Sequence, residues 1–114
     1  MEPTEIPYEN VVRMCGRVAQ VPSERTLPSG DRLITMRVIV QRSVRARRRS
    51  RVSVDAFECV GWTQHVQRSV ARLAPDDIVE IEGELRRRFR RVAGAAVSTV
   101  EIELISCRTL AKAS

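Results

Sequence analysis

The chain of 114 residues sets 20 Lys plus Arg against 14 Asp plus Glu, for a net charge of +6 at pH 7. That length makes one domain, able to bury roughly two thirds of its unfolded surface around a single core. Nineteen of the cations are arginine, with Lys112 the sole lysine, and guanidinium suits planar recognition of phosphate and stacking on bases. The cysteines, Cys15, Cys59 and Cys107, are widely spaced, with no Cys-x-x-Cys or Cys/His pairing; this argues against a zinc site or a disulfide framework and predicts reduced thiols.

Residues 1–9 hold two prolines and three glutamates and read as a flexible leader, with neither the basic nor the apolar region of a signal peptide. No segment approaches membrane-spanning length, and a cytoplasmic protein is expected. Asn10–Val18 reads as a first strand, with Val12, Met14, Gly16 and Val18 inward and Arg13, Cys15 and Arg17 outward. Val21–Asp31, with Pro22, Pro28, Ser29 and Gly30, reads as a turn-rich connection. A second strand spans Leu33–Gln41, with Ile34, Met36, Val38 and Val40 inward and Thr35, Arg37, Ile39 and Gln41 outward.

Ser43–Ser53 lacks any core-facing period, and its dense like charge predicts a mobile loop. Val54–Trp62 is a third strand with Phe57 and Cys59 in the core and Trp62 on the outer side. Val66, Val70 and Leu73 recur at helical spacing, so Gln64–Leu73 is the one convincing helix, ended by Ala-Pro-Asp-Asp at 74–77.

Ile78–Arg91 is the stretch around which the rest is organised. Val79, Ile81 and Leu85 fall on one side of a strand and Glu80, Glu82 and Glu84 on the other. Beyond Leu85 the polar row changes sign, to Arg86, Arg88 and Arg90. Gly83 interrupts the inward row where a sheet coils sharply or another backbone approaches. Val92–Ala96 is expected to be a loop, and Val97–Cys107 a fifth strand with Val100, Ile102 and Leu104 inward. Eleven of the nineteen arginines fall in two short runs, Arg42–Arg51 and Arg86–Arg91.

The order strand, strand, strand, helix, strand, strand is that of the OB-fold, a five-stranded Greek-key barrel used to bind oligonucleotides. An all-β chain with one short helix between its third and fourth strands is therefore expected, as a single domain over 10–110 with a short end at 111–114. The residues also resemble the bacterial single-stranded DNA-binding protein family. Asn10–Val18 is similar to its opening N-K-V-x-L-x-G-x-L strand, and Pro22, Arg25 and Pro28-Ser29-Gly30 to its D-P-E-x-R-x-x-P-x-G connection. Val79–Arg86 is similar to its V-x-I-E-G-x-L-R signature, and Thr99-Val100-Glu101-Ile102 to its T-E-V.

The resemblance implies outward aromatic residues on strand three and in the last hairpin that stack on bases. Trp62 falls on one strand-three position, whereas the other falls on Ala56 and the basic residue between them on Glu58. The hairpin aromatic falls on Arg90 or, with a slip of one residue, on Phe89, which otherwise reads as packing at the barrel end. By period alone Trp62 reads equally as core filler; the resemblance points to stacking. The resemblance also implies a homodimer or homotetramer joined through the first strand, and a nucleoid-associated place of work. The family commonly carries a flexible acidic-tipped tail where this chain has Ala111-Lys112-Ala113-Ser114, which implies a reduced paralogue.

The expected function is sequence-independent single-stranded DNA binding in replication, repair or recombination. Trp62 and Phe89 are the stacking candidates, and Arg37, Arg42, Arg45, Arg47, Arg48, Arg49, Arg51, Arg86, Arg88 and Arg90 the phosphate candidates, the two arginine runs meeting on one rim beside the indole. The alternatives are an interaction protein docking on other replication or recombination proteins and an RNA-binding module. No Ser/His/Asp set, phosphate-cradling glycine loop or metal-ligand spacing is present, so no enzyme, cofactor or metal is expected.

Overall fold

The computed structural model describes residues 6–114; the start of the expected leader, residues 1–5, lies outside the described residues. The elements run β1 (Val12–Val18), β2 (Ser23–Thr26), β3 (Arg32–Gln41), α1 (Val44–Arg47), β4 (Val54–Gly61), α2 (Gln64–Ala71), β5 (Ile78–Val92) and β6 (Ala95–Ala111). Strands lie in the order β1-β5-β6-β4-β3-β2, and a further β1–β3 pairing closes β1, β3, β4, β5 and β6 into a five-strand barrel, the OB-fold. β4 and β6 run parallel; the other pairs are antiparallel.

Closure follows from alternation. Ile34, Met36 and Val38 of β3, Cys59 of β4, Val79 and Ile81 of β5, and Ile102 and Leu104 of β6 form the buried core. α2 is capped by Thr63, whose hydroxyl accepts from the Val66 N–H at 3.3 Å, and its Val66 and Val70, with Leu73 just beyond, cover one end of that core. Two glycines let the wall bend. A Cβ on Gly16 would strike the Ile39 carbonyl oxygen, and one on Gly83 the Glu103 carbonyl oxygen. Gly83 also sits at a register shift between β5 and β6, which increases local coiling.

Four local expectations are corrected. The connection at 21–31 contains β2, paired with β3 from Ser23↔Thr35 to Thr26↔Arg32; all four of its residues are exposed, so no apolar period betrays it. The first arginine run is not wholly irregular, because Ser43 caps the single helical turn α1 by accepting from the Ala46 N–H at 3.2 Å. The expected loop at 92–96 shrinks to Ala93 and Gly94, with φ of 51° and 81°, the two positive values of a type I′ hairpin turn. β5 and β6 therefore project past the barrel, and there Leu85 (44% exposed) and Val100 (48%) lose the cover their alternation implied.

Asp77 ties three segments together. Only 1% exposed, its carboxylate accepts from the N–H of Ala74 at 2.9 Å and of Ala113 at 2.8 Å, and from Lys112 Nζ at 3.1 Å. Its carbonyl accepts from the Val18 N–H at 2.9 Å. These hydrogen bonds, the one from Ala113 foremost, hold its carboxyl below the usual carboxylate range.

Candidate nucleic-acid interface

Register decides what the outer wall presents. Arg37 stands opposite Glu58 and Ile39 opposite Ala56 across β3 and β4. Arg86 stands opposite Glu101 and Arg88 opposite Thr99 across β5 and β6. Arginines expected to wait for phosphate therefore meet carboxylates. Arg37 Nε donates to Glu58 Oε1 at 2.7 Å. Arg86 bridges Glu103 and Glu84, both at 2.7 Å, and Arg88 Nε donates to Glu101 Oε1 at 2.6 Å. Arg42 grips both oxygens of Asp55 at 2.9 and 2.7 Å, which holds that carboxyl below its ordinary range and raises the Arg42 guanidinium above its own. These side chains keep between 17% and 50% of their surface in solvent, and an ion pair open to water contributes about 0–1 kcal/mol. A polyphosphate can therefore displace them at small cost.

A groove of about 440 Å³ opens between the two hairpins. Arg25, Leu27, Leu33 and Thr35 form one wall, and Arg88, Phe89, Arg90 and Glu101 the other. Glu58, Cys59 and Val60 line its floor, where burial pushes the Cys59 thiol up to about 12, so that it stays neutral. Trp62, just past the end of β4, is half-buried. The Arg88 guanidinium carbon lies 5.9 Å from its ring centroid, within cation–π range. On its other flank Trp62 lines a smaller cleft of about 340 Å³ with Gly30, Asp31, Arg32, Gln64 and Gln67. Gln67 fixes that corner, its Nε2 donating to the carbonyls of Arg32 at 2.8 Å, Trp62 at 3.1 Å and Gly61 at 3.3 Å.

The two arginine runs do not share one rim. Arg88 and Arg90 come to the Leu33 end of β3, and Arg88 lies over Trp62. Arg45–Arg51 sit past Gln41 and Val54, at the opposite end of the β3–β4 pair, about 26 Å of strand away at ~3.3 Å per residue. The clusters thus bracket the outer wall instead of converging on it. Arg45, Arg47, Arg48, Arg49, Arg51 and Arg90 have no carboxylate partner among the described residues, and Phe89 is 75% exposed. Sequence reasoning missed Arg25, Glu101 and Gln67 as members of this region. Arg25 lies in the unrecognised β2, and Gln67 carries no periodic signal. Glu101 was legible as the outward neighbour of Ile102, but its partner depended on an unknown register.

A family model described as "Single-strand binding protein family" matches residues 9–109. Similar solved structures include that of Plasmodium falciparum SSB in complex with ssDNA, with a TM-score of 0.77 and 19% identity over 96% of this chain and 99% of that one. Another is a small single-stranded DNA-binding protein from Streptomyces coelicolor, with a TM-score of 0.64 and 20% identity over 87% and 92%. No curated protein sequence matches the chain.

Proposed function

Because the chain belongs to the single-strand binding protein family, non-enzymatic proteins that bind single-stranded DNA, we propose that it holds the strand without requiring a fixed sequence, phosphates on arginine and a base on Trp62. The observation that carries this is that, among the described residues, Arg90 on the groove wall and Arg45, Arg47, Arg48, Arg49 and Arg51 at the far hairpin tip have no carboxylate partner. The strand runs from Trp62, past Arg88 into the groove at Phe89 and Arg90, and along the β3–β4 wall to Arg45–Arg51. On the way it draws Arg37, Arg42, Arg86 and Arg88 out of their weak surface pairs. Such a module serves replication, repair or recombination, wherever single strands are exposed.

Neutralising about six phosphates gives a log–log salt slope near −4 for single strands. Fluorescence anisotropy with a mixed-sequence oligomer is expected to show affinity falling more than about 100-fold between roughly 50 and 200 mM salt. A slope near zero overturns the proposal.

We further propose assembly as at least a dimer through β1. β1 pairs with β5 from Val12 to Arg17 but with β3 only at Arg17 and Val18, which leaves ladder groups of its outer edge to a second copy. Light scattering at tens of micromolar tests this; a monomer mass overturns it.

Exposed Ala56 and the Arg37–Glu58 pair favour a second reading, docking on a replication or recombination protein with weak DNA binding. Trp62→Ala separates the two, because strand binding predicts a large loss of DNA affinity and docking little change.

A further inference from the structure

Past Leu85 the β5–β6 ribbon leaves the barrel and stands in solvent on both faces. Every residue from Leu85 to Ala96 is exposed, and the ribbon reaches about 23 Å from Leu85 to Val92 at ~3.3 Å per residue. A two-stranded ribbon with no covering layer is marginally stable in water. This one has the form of an arm that meets a partner.

Charge says what kind of partner fits. Between Leu85 and Ile102 the ribbon carries five arginines against one carboxylate, Glu101. A second copy of the ribbon would set like charge against like, whereas a polyanion complements it. The arginines are divided between the faces. By alternation Arg86, Arg88 and Arg90 share the face turned to Trp62, while Arg87 and Arg91 lie on the other face with Leu85. Arg87 Nη1 donates to Ser98 Oγ at 2.8 Å, and Arg91 Nη1 to the Gly94 carbonyl at 3.2 Å. Both acceptors are neutral, and among the described residues neither arginine meets a carboxylate. Each guanidinium is thus held along the ribbon with its charge uncompensated.

A single strand lying on the groove face leaves Arg87 and Arg91 unused. Cations on both faces of a ribbon match a groove bordered by phosphate on two sides, and the major groove of B-DNA, about 12 Å wide, admits a two-stranded ribbon. The ribbon rises from the groove wall at Arg88 and Arg90, so a duplex that continues the held strand comes up against it.

We propose that the β5–β6 ribbon is a duplex-gripping arm, with Arg87 and Arg91 taking phosphates of double-stranded DNA, which seats the protein where a duplex opens into a single strand. This rests on the single-strand binding proposed above and adds a second partner surface to it. Phosphate contacts carry no sequence information, so the arm requires no fixed sequence.

The test is an anisotropy titration of three probes on the wild type and on Arg87→Gln/Arg91→Gln. The probes are a mixed-sequence single strand and the same strand joined, at its 5′ or its 3′ end, to a duplex of one helical turn, about 10 base pairs. The wild type is expected to bind one junction more tightly than the single strand, with a log–log salt slope steeper by about 1.8, at ~0.9 for each of two duplex phosphates. That advantage therefore shrinks about 12-fold between roughly 50 and 200 mM salt. In the double variant, single-strand affinity is expected to change little and the junction advantage to vanish. Equal binding of all three probes by the wild type overturns the inference and leaves single-strand binding standing, whereas binding of none removes both. An unchanged advantage in a variant whose thermal melt matches the wild type also overturns it. So does a smaller mass of the variant in light scattering, which makes the ribbon a contact between copies.

Discussion

The guanidinium of Arg88 lies over the indole of Trp62 at 5.9 Å while its Nε remains hydrogen-bonded to Glu101. One side chain thus links the platform to the groove's acidic wall. A base stacking on Trp62 replaces or joins that guanidinium, and stacking contributes roughly 1–3 kcal/mol per base. Trp62→Ala is expected to weaken single-strand affinity about 5- to 150-fold. Since Trp62 is the only tryptophan, its fluorescence reports the same event directly: quenching on addition of oligomer in the wild type, and persistence of the free-state spectrum if stacking is absent.

Charge at the far tip is separable from the platform. Replacing Arg45, Arg47, Arg48, Arg49 and Arg51 by Gln removes five cations that no carboxylate among the described residues holds. The salt slope is expected to flatten by about 3.5, at ~0.7 per phosphate for single strands, with fluorescence quenching at saturation retained. A slope equal to the wild type's places the polyanion elsewhere.

Gly83→Ala tests barrel closure. The new Cβ meets the Glu103 carbonyl oxygen and, at 2.9 Å, Ile102 Cγ2. Backbone cannot retreat cheaply, so a loss of about 3 kcal/mol, the upper part of the overpacking range, is expected in urea unfolding. Gly94→Ala is the contrast. Nothing lies within 4 Å of its Cβ, and the cost is only the left-handed backbone of a non-glycine residue, about 1 kcal/mol.

Stability is expected to fall in acid through Asp77. Its folded pKa is lowered by the Ala113 and Ala74 N–H groups and by Lys112, so its contribution is complete above the unfolded value and lost as pH drops through the folded one. Thermal melts from pH 7 down to below 3 are expected to show a decline beginning near pH 4, where an unfolded aspartate starts to bind protons. Asp77→Asn is expected to melt lower at neutral pH and to show a shallower acid limb. An identical limb in the variant assigns the decline to other carboxylates, Asp55 first, since its pKa is also lowered.

The core was legible because Val79, Ile81, Ile102 and Leu104 alternate with charged neighbours, and a strand with one wet side has only one way to face. Val66 and Val70 likewise declared α2. β2 was illegible because Ser23–Thr26 buries nothing and exists only through its ladder with β3. Leu85 and Val100 misled for the opposite reason: their alternation is that of a buried strand, but the hairpin outruns the barrel that would have covered them. In the candidate site, arginine identity and facing were readable. The pairing of Arg37 with Glu58 and of Arg88 with Glu101 was not, because it depends on which residue of one strand stands beside which of another.

The barrel wall is joined unevenly. β5 and β6 share a ladder along nearly their whole length, whereas β1 meets β3 only at Arg17↔Ile39 and Val18↔Val38, and β4 meets β6 only at Cys59↔Ile102 and Val60↔Glu103. Two short seams thus hold the cylinder shut, each stitched by two residue pairs. Thermal breathing will part the molecule along those seams first, and amide hydrogens there will trade with deuterium sooner than those in the middle of the long hairpin.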